Sequence, residues 1–347
     1  MKRRTLGQSG LDVSAWCLGT MTYGNQTGQE DAFAQMDRAV DAGITFFDCA
    51  EMYPVAPVRA ETVGDSERMI GRWLAQGGRR DKVQIATKVS GRNGGFVRDG
   101  AGFDGPTIRQ TIDASLERLQ TDVIDLYQLH WPERGSYHFR QMWSYDPSGQ
   151  NKAETLAHME EVLGVLEEAR QAGKVRAFGL SNETAWGTCR WIDTAARMGV
   201  PGPVAMQNEY SLLCRLYDTD MAEMAVNEDV TLLAYSPLAA GLLTGKYANG
   251  ALPEGSRGAI NGDLGGRLTP RVDDAVAGYH MLAEKHGLDP VAMALAFVAQ
   301  RPFPSIPIFG ATTLAQLERI IEGSDLVLSD DVLSEIDAIH QTHPLPF

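Results

Sequence analysis

Cysteine is scarce and scattered. Cys17, Cys49, Cys189 and Cys214 are the only four in 347 residues, with no C-x-x-C pair and no Cys/His cluster at zinc spacing. A disulfide framework and a cysteine-built metal site are therefore excluded, and the thiols read as buried or incidental ones in a reducing compartment. Positive charge is in deficit, with 31 Lys+Arg against 45 Asp+Glu and a net charge of −14. An acidic chain repels phosphodiester backbones and anionic bilayers, so neither nucleic acid nor a membrane is expected as a partner, although a local basic pocket for a phosphate is compatible. No apolar run approaches the ~18 residues of a membrane span. The basic Met1-Lys2-Arg3-Arg4 leads into Thr5-Leu6-Gly7-Gln8-Ser9-Gly10, not an apolar stretch, so no secretory signal is expected and the expected location is the cytoplasm. Low-complexity tracts and short repeats are absent, no G-x-G-x-x-G follows the first strand candidate, and no G-x-S-x-G nucleophile elbow occurs.

What is present is alternation. With 44% hydrophobic and 22% charged residues the chain can build a large core. Eight short apolar runs read as strands: Trp16–Thr20, Ile44–Asp48, Val83–Lys88, Val123–His130, Val175–Ser181, Val204–Asn208, Thr231–Tyr235 and Ser305–Phe309. Most are nearly continuous in apolarity, as parallel strands covered on both faces require. Between them lie helical stripes, such as Ile108, Ile112, Leu116 and Leu119, or Leu156, Met159, Leu163 and Leu166. Gly43 and Gly173 stop helices, and Ser181–Thr184 and Ala311–Thr313 offer N-caps. Eight βα units without an internal boundary predict one domain over 1–347, a (β/α)8 TIM barrel. An open doubly wound sheet is the alternative, disfavoured because the dinucleotide-binding glycine fingerprint is missing. Arg3–Leu6 and Asp12–Ala15 predict an N-terminal β-hairpin, and Asp330–His340 an extra C-terminal helix. Three long loops, 90–106, 131–152 and 237–270, are candidate functional loops. The first is Gly-rich and expected to be mobile.

The strands close on Thr20, Asp48, Lys88, His130, Ser181-Asn182, Gln207-Asn208, Tyr235-Ser236 and Gly310. In a barrel these ends share one face, the face that carries chemistry. Any one of them can be a solvated strand end or a cap, but Asp48, Lys88 and His130 together are more than capping needs. Asp48 and Lys88 close neighbouring strands and can pair in the interior. Tyr53 lies five residues beyond Asp48, and a nearby Lys88 cation would lower its phenol from about 10, making it a usable acid near neutrality. His130 can donate a hydrogen bond to a carbonyl oxygen gaining charge. These residues form a proton-delivery unit. A lone strand-end histidine supplies too few ligands for a metal, so none is expected. Ser181, Asn182 and Gln207 offer donors and acceptors suited to a carboxamide, Tyr235 can stack on a flat ring, and Gly310-Ala311-Thr312-Thr313 places N–H groups at a helix start, an anion site.

These segments resemble the aldo-keto reductase family. The resemblance runs through Leu18-Gly19-Thr20-Met21, Asp48–Tyr53, Thr87-Lys88-Val89, Gln128-Leu129-His130-Trp131-Pro132, Gly179-Leu180-Ser181-Asn182, Gln207–Ser211 and Tyr235-Ser236-Pro237-Leu238 through Lys246-Tyr247. It is strongest toward the bacterial Tas-type branch, through Ala50–Val55 and Gly310–Thr313. It implies NADPH-dependent reduction of an aldehyde or ketone, with Tyr53 as general acid, Lys88 and Asp48 tuning it, and His130 orienting the carbonyl. It further implies that Ser181, Asn182 and Gln207 hold the nicotinamide carboxamide over Tyr235, with Gly19, Thr20, Met21 and Asp48 beside it. Ser236, Pro237, Leu238, Gly241, Leu242 and Lys246 would follow the pyrophosphate, with Arg257 near it, and Gly310, Ala311, Thr312 and Gln316 would meet the 2′-phosphate end. Many members carry an Arg and a Glu-Asn pair where this chain has Gln316, Arg319 and Ile320, which leaves NADPH against NADH open. Lys246, Arg257 or Arg267 can replace the charge or be solvated loop cations. Tyr23, Tyr53, His130 and Trp131 are the substrate candidates, and Trp16 with aromatics of 137–145 can wall an apolar pocket or simply pin the loop. A second reading, from potassium-channel β subunits that resemble the family, is a nicotinamide-bound regulatory partner. The substrate's identity and the oligomeric state stay open.

Overall fold

Each predicted apolar run becomes a strand because its β-branched and aromatic side chains alternate between two buried environments. The computed structural model describes residues 1–347. An antiparallel hairpin, β1 (Arg3–Thr5) and β2 (Asp12–Ser14), precedes eight parallel strands that close on themselves. They are β3 (Cys17–Gly19), β4 (Phe46–Asp48), β5 (Gln84–Val89), β6 (Ile124–Leu129), β7 (Val175–Ser181), β8 (Ala205–Glu209), β9 (Thr231–Tyr235) and β10 (Ser305–Phe309), and β10 pairs with both β9 and β3. The helices outside are α1 (Gln29–Asp41), α2 (Asp65–Leu74), α3 (Gly105–Leu119), α4 (Lys152–Gln171), α5 (Ala185–Met198) and α6 (Asp220–Asn227). They continue as α7 (Arg257–Asn261), α8 (Val272–Lys285), α9 (Pro290–Ala299), α10 (Leu314–Glu322) and α11 (Asp330–Thr342). The chain is a (β/α)8 barrel with an N-terminal hairpin and a C-terminal helix, as the alternation predicts.

Several caps follow the sequence signals. Thr184 and Thr313 accept from the N–H groups of Gly187 and Gln316, and Gly43 and Gly173 take positive φ after α1 and α4. Two helices depart from the eight-unit reading, the short α7 and the longer α8. α8 lies between β9 and the helix α9 that returns to β10, and it packs on α11, where an added Cβ at Gly278 would stand 3.3 Å from Ile339.

Two hydrophobic layers result. A large one between strands and helices takes the outward strand residues, such as Leu18, Phe47 and Tyr127. A small one fills the barrel with Cys17, Phe46, Ala86, Leu126, Ala205, Leu233 and Ile306, and Leu6 and Val13 of the hairpin plug its lower end. Strand period 2 then decides the next layer up: two residues beyond Phe46, Ala86, Leu126, Ala205 and Leu233, the same inward face carries Asp48, Lys88, Gln128, Gln207 and Tyr235.

At Gly71, α2 packs directly against the backbone of α3. A Cβ there would lie 2.2 Å from the Arg118 carbonyl oxygen, a backbone atom that cannot swing away. Gly71→Ala should therefore destabilise the protein by about 1–3 kcal/mol through overpacking, read as a lower midpoint in urea. An unchanged midpoint would mean that the two helices separate freely.

Candidate active site

Asp48 and Lys88 end adjacent strands, and both are buried. The Lys88 Nζ donates to Asp48 Oδ2 at 2.6 Å, to the Cys49 carbonyl at 2.7 Å and to the Tyr53 hydroxyl at 3.4 Å. The second carboxylate oxygen accepts from Gln207 Nε2 at 2.8 Å and from Gln128 Nε2 at 3.0 Å, and Gln207 also donates to Gln128 Oε1 at 3.1 Å. Gly179 leaves the space for these amides, since a Cβ would approach the Ala205 carbonyl to 3.0 Å and Gln128 Cγ to 3.5 Å. Burial alone would lower the Lys88 ammonium, but Asp48 and then Tyr53 override it and hold it above the usual lysine range.

Tyr53 reaches the same point from the turn after β4. Its ring lies 4.8 Å from Lys88 Nζ and packs edge-on to His130, centroids 5.8 Å apart. The phenol departs from expectation. Burial raises it more than Lys88 lowers it, so the net direction is upward and the hydroxyl keeps its proton at neutral pH. His130 is pushed well below the usual imidazole range by burial and then by Lys88, so it stands neutral, with an unpartnered Nδ1.

A cleft of about 1600 Å³ opens over this layer. It is lined by Tyr53, Asp48, His130, Trp131, Gly19, Met21, Ser181, Asn182, Gln207, Tyr235, Ser236, Pro237, Leu238, Gly241, Lys246, Arg257, Gly310, Ala311, Thr312 and Gln316. Of the predicted residues, Lys88 lies buried beneath the cleft, and three more stand elsewhere. Tyr23 is fully buried and donates to Gln35 Oε1 at 3.2 Å, packed under the rim. Thr20 supports the site from behind, donating to the Asp48 carbonyl at 3.0 Å. The Leu242 side chain turns into the core. Of the aromatics, Trp131 and Phe139 face the cleft, whereas Trp16 packs on Phe309 and Tyr137 on Tyr145. Arg267 is no solvated loop cation: it is buried and pairs with Glu209 at 2.6 Å.

Three buried glutamates tie down the loops. Glu51 accepts from Ser90 N–H and Arg98, holding the segment expected to be mobile. Glu183 receives Arg134 of loop 131–152. Glu209 receives Arg140 from that loop, at 2.8 Å, and Arg267 from loop 237–270. Gln128 belongs to the layer through its bond to Asp48. Its place two residues before His130 on one strand face was the available signal.

The cleft suits a long anionic ligand at its upper end. The N–H groups of Gly310, Ala311 and Thr313 have no partner within the protein, at the start of α10. Lys246 makes no ion pair, and neither does Arg257, whose buried Nε has no hydrogen-bond partner. Burial and then Arg267 push the Arg257 guanidinium down to about 10. By contrast Arg319 is held by Asp289, and Gln316 Oε1 folds back to accept from Thr312 N–H.

The Aldo/keto reductase family profile matches residues 15–341. The chain belongs to that family. It is 45% identical to "Protein tas" of Escherichia coli (strain K12), over 100% of this chain and 99% of the relative. It is 34% identical to the "Uncharacterized oxidoreductase YrpG" of Bacillus subtilis (strain 168), over 98% and 96%. A "Probable voltage-gated potassium channel subunit beta" of Arabidopsis thaliana is 30% identical, over 99% and 98%. This aldo/keto reductase is an NAD(P)H-dependent oxidoreductase. No helix is long and apolar enough to cross a membrane.

Two outcomes follow from the geometry. Lys88→Met leaves the Asp48 carboxylate buried without its cation and should cost about 3 kcal/mol in urea unfolding, most of it regained in Lys88→Met/Asp48→Asn. An equal loss in the double variant would show that packing, not charge, holds the pair. Second, burial lowers His130, His138, His158 and His340. The unfolded histidines take up protons near pH ~6.5 while the folded ones resist, so stability should be full above that pH and fall as the pH drops below it. Urea midpoints that stay level between pH 7.5 and 5.5 would contradict this.

Proposed function

We propose that the protein reduces an aldehyde or ketone to the alcohol with NADPH, with Tyr53 as the proton donor. The observation that carries this reading is the convergence of the Tyr53 hydroxyl, the Lys88 ammonium and a neutral His130 at one end of a cleft whose other end presents free N–H groups. A bound nicotinamide would supply the hydride that the carbonyl carbon takes up. Neutral His130 orients the carbonyl by donating a hydrogen bond to its oxygen. As charge gathers on that oxygen, Tyr53, protonated because burial raises it, delivers its proton there. Lys88 stabilises the phenolate left behind, and Asp48 keeps Lys88 charged and aimed. The buried layer excludes water from this transfer.

Tyr235 would lie under the nicotinamide ring, and Ser181, Asn182 and Gln207, which line the same part of the cleft, would hold its carboxamide. Gln207 keeps Oε1 as an acceptor, since its Nε2 is spent on Asp48 and Gln128. Asn182 is fixed by the Tyr235 hydroxyl, which donates to its Oδ1 at 2.8 Å, and by its own Nδ2, which donates to the His130 carbonyl at 2.9 Å. Lys246 and Arg257 would hold the phosphates along Ser236–Lys246, and the unpaired N–H groups of Gly310, Ala311 and Thr313, with Gln316, would hold the 2′-phosphate.

The test is NADPH and NADH oxidation against a panel of aldehydes and ketones. Tyr53→Phe should lower kcat by about 10²–10⁴-fold with cofactor binding retained; an unaffected rate would remove Tyr53 from its role. Gln316→Arg should raise the NADPH-to-NADH ratio of kcat/KM by about tenfold through a charge-assisted contact, and an unchanged ratio would place the 2′-phosphate away from α10.

A further inference from the structure

The cleft carries more positive charge than a neutral substrate needs. Three guanidiniums, those of Arg140, Arg257 and Arg267, face a single carboxylate, Glu209, and all four groups are largely shielded from water. Arg140 and Arg267 stand side by side: a Cβ on Gly265 would lie 3.6 Å from a terminal nitrogen of each. With Arg257 assigned to the cofactor's phosphates, two cations still share one anion. A half-buried surplus charge of this kind is costly unless a ligand neutralises it.

Arg140 also has a defined path to the reacting centre. The ring of His130 packs on Trp131 with centroids 4.8 Å apart, and Trp131 packs edge-on to Phe139 at 5.9 Å. Arg140 follows Phe139 directly, and Trp131, Phe139 and Arg140 all line the cleft. An apolar wall therefore leads from the carbonyl-orienting imidazole to a guanidinium. A hydrogen bond from Trp131 Nε1 to the Arg92 carbonyl, 3.0 Å, fixes that wall.

We infer that the substrate is a carbonyl compound bearing a carboxylate beyond an aromatic ring or a chain of similar length, and that Arg140 selects it. The inference rests on the carbonyl-reduction reading. The apolar body lies along Trp131 and Phe139, and the carboxylate takes up the charge that Glu209 leaves uncompensated. Arg140 thus has two duties, since its bond to Glu209 also aims it at the cleft.

The experiment compares 4-carboxybenzaldehyde with its neutral methyl ester at saturating NADPH, in the wild type, Arg140→Met and Arg140→Lys. The expected wild-type ratio of kcat/KM, acid over ester, is about tenfold or more. It should fall toward one in Arg140→Met through the KM of the acid, recover in part in Arg140→Lys, and shrink with added salt. A wild-type ratio of one, or a ratio that survives Arg140→Met, overturns the inference while turnover of the ester leaves the reduction reading standing. If neither aldehyde is turned over, the reduction reading fails for this class. Calorimetric titration of terephthalate into the NADP-loaded protein then decides the inference: binding lost in Arg140→Met supports it, and no binding to the wild type overturns it.

Discussion

The buried pair of Lys88 and Asp48 is the constraint on which the cleft-bearing face of the barrel depends. Neither group can be held in a protein interior alone, and together they gain little over an apolar pair unless the remaining lone pairs and protons are satisfied. Here they are: Gln128 and Gln207 complete the carboxylate, and the Cys49 carbonyl and the Tyr53 hydroxyl complete the ammonium. The network draws on four strands or their ends, so it also fixes the barrel's register at its upper rim. The same charge that holds the pair together acts on both rings above it, opposing the rise of the Tyr53 phenol and helping to keep His130 neutral.

Above this layer the long loops are not left to themselves. Glu51, Glu183 and Glu209 each follow or end a strand, are buried, and receive arginines from the loops. Such pairs cost desolvation, and their return is position more than stability. Glu209 differs from the other two in taking two arginines, one from each loop that flanks the cleft.

Much of this was legible in the sequence because strand parity is unforgiving. Once Phe46 and Ala86 are inside, Asp48 and Lys88 must be inside as well, and the polar layer follows. The turn that carries Tyr53 was readable only through its distance from Asp48 and the family resemblance. Tyr23 failed because an aromatic just past a strand has no parity to place it, and its ring packs against α1 through Gln35. The glutamate ties were invisible since their partners lie 47 to 69 residues away, and an acidic residue after a strand reads locally as a solvated end or a cap. Burial of the Tyr53 ring reversed the expected sign of its shift because desolvation depends on packing density, which no local pattern reports. α8 escaped the reading for a plainer reason, as no strand follows it to mark a ninth unit.

The three ties have a consequence for how such a barrel changes over generations. Each loop is fastened at a strand end, and the residues between fasteners make no contribution to the Lys88–Asp48 network. Loop segments can therefore be lengthened, shortened or rewritten between their anchors while the buried polar layer beneath stays in register. The anchors separate two inheritances: the buried polar layer is handed on with the strands, and the walls of the cleft are free to drift with the loops.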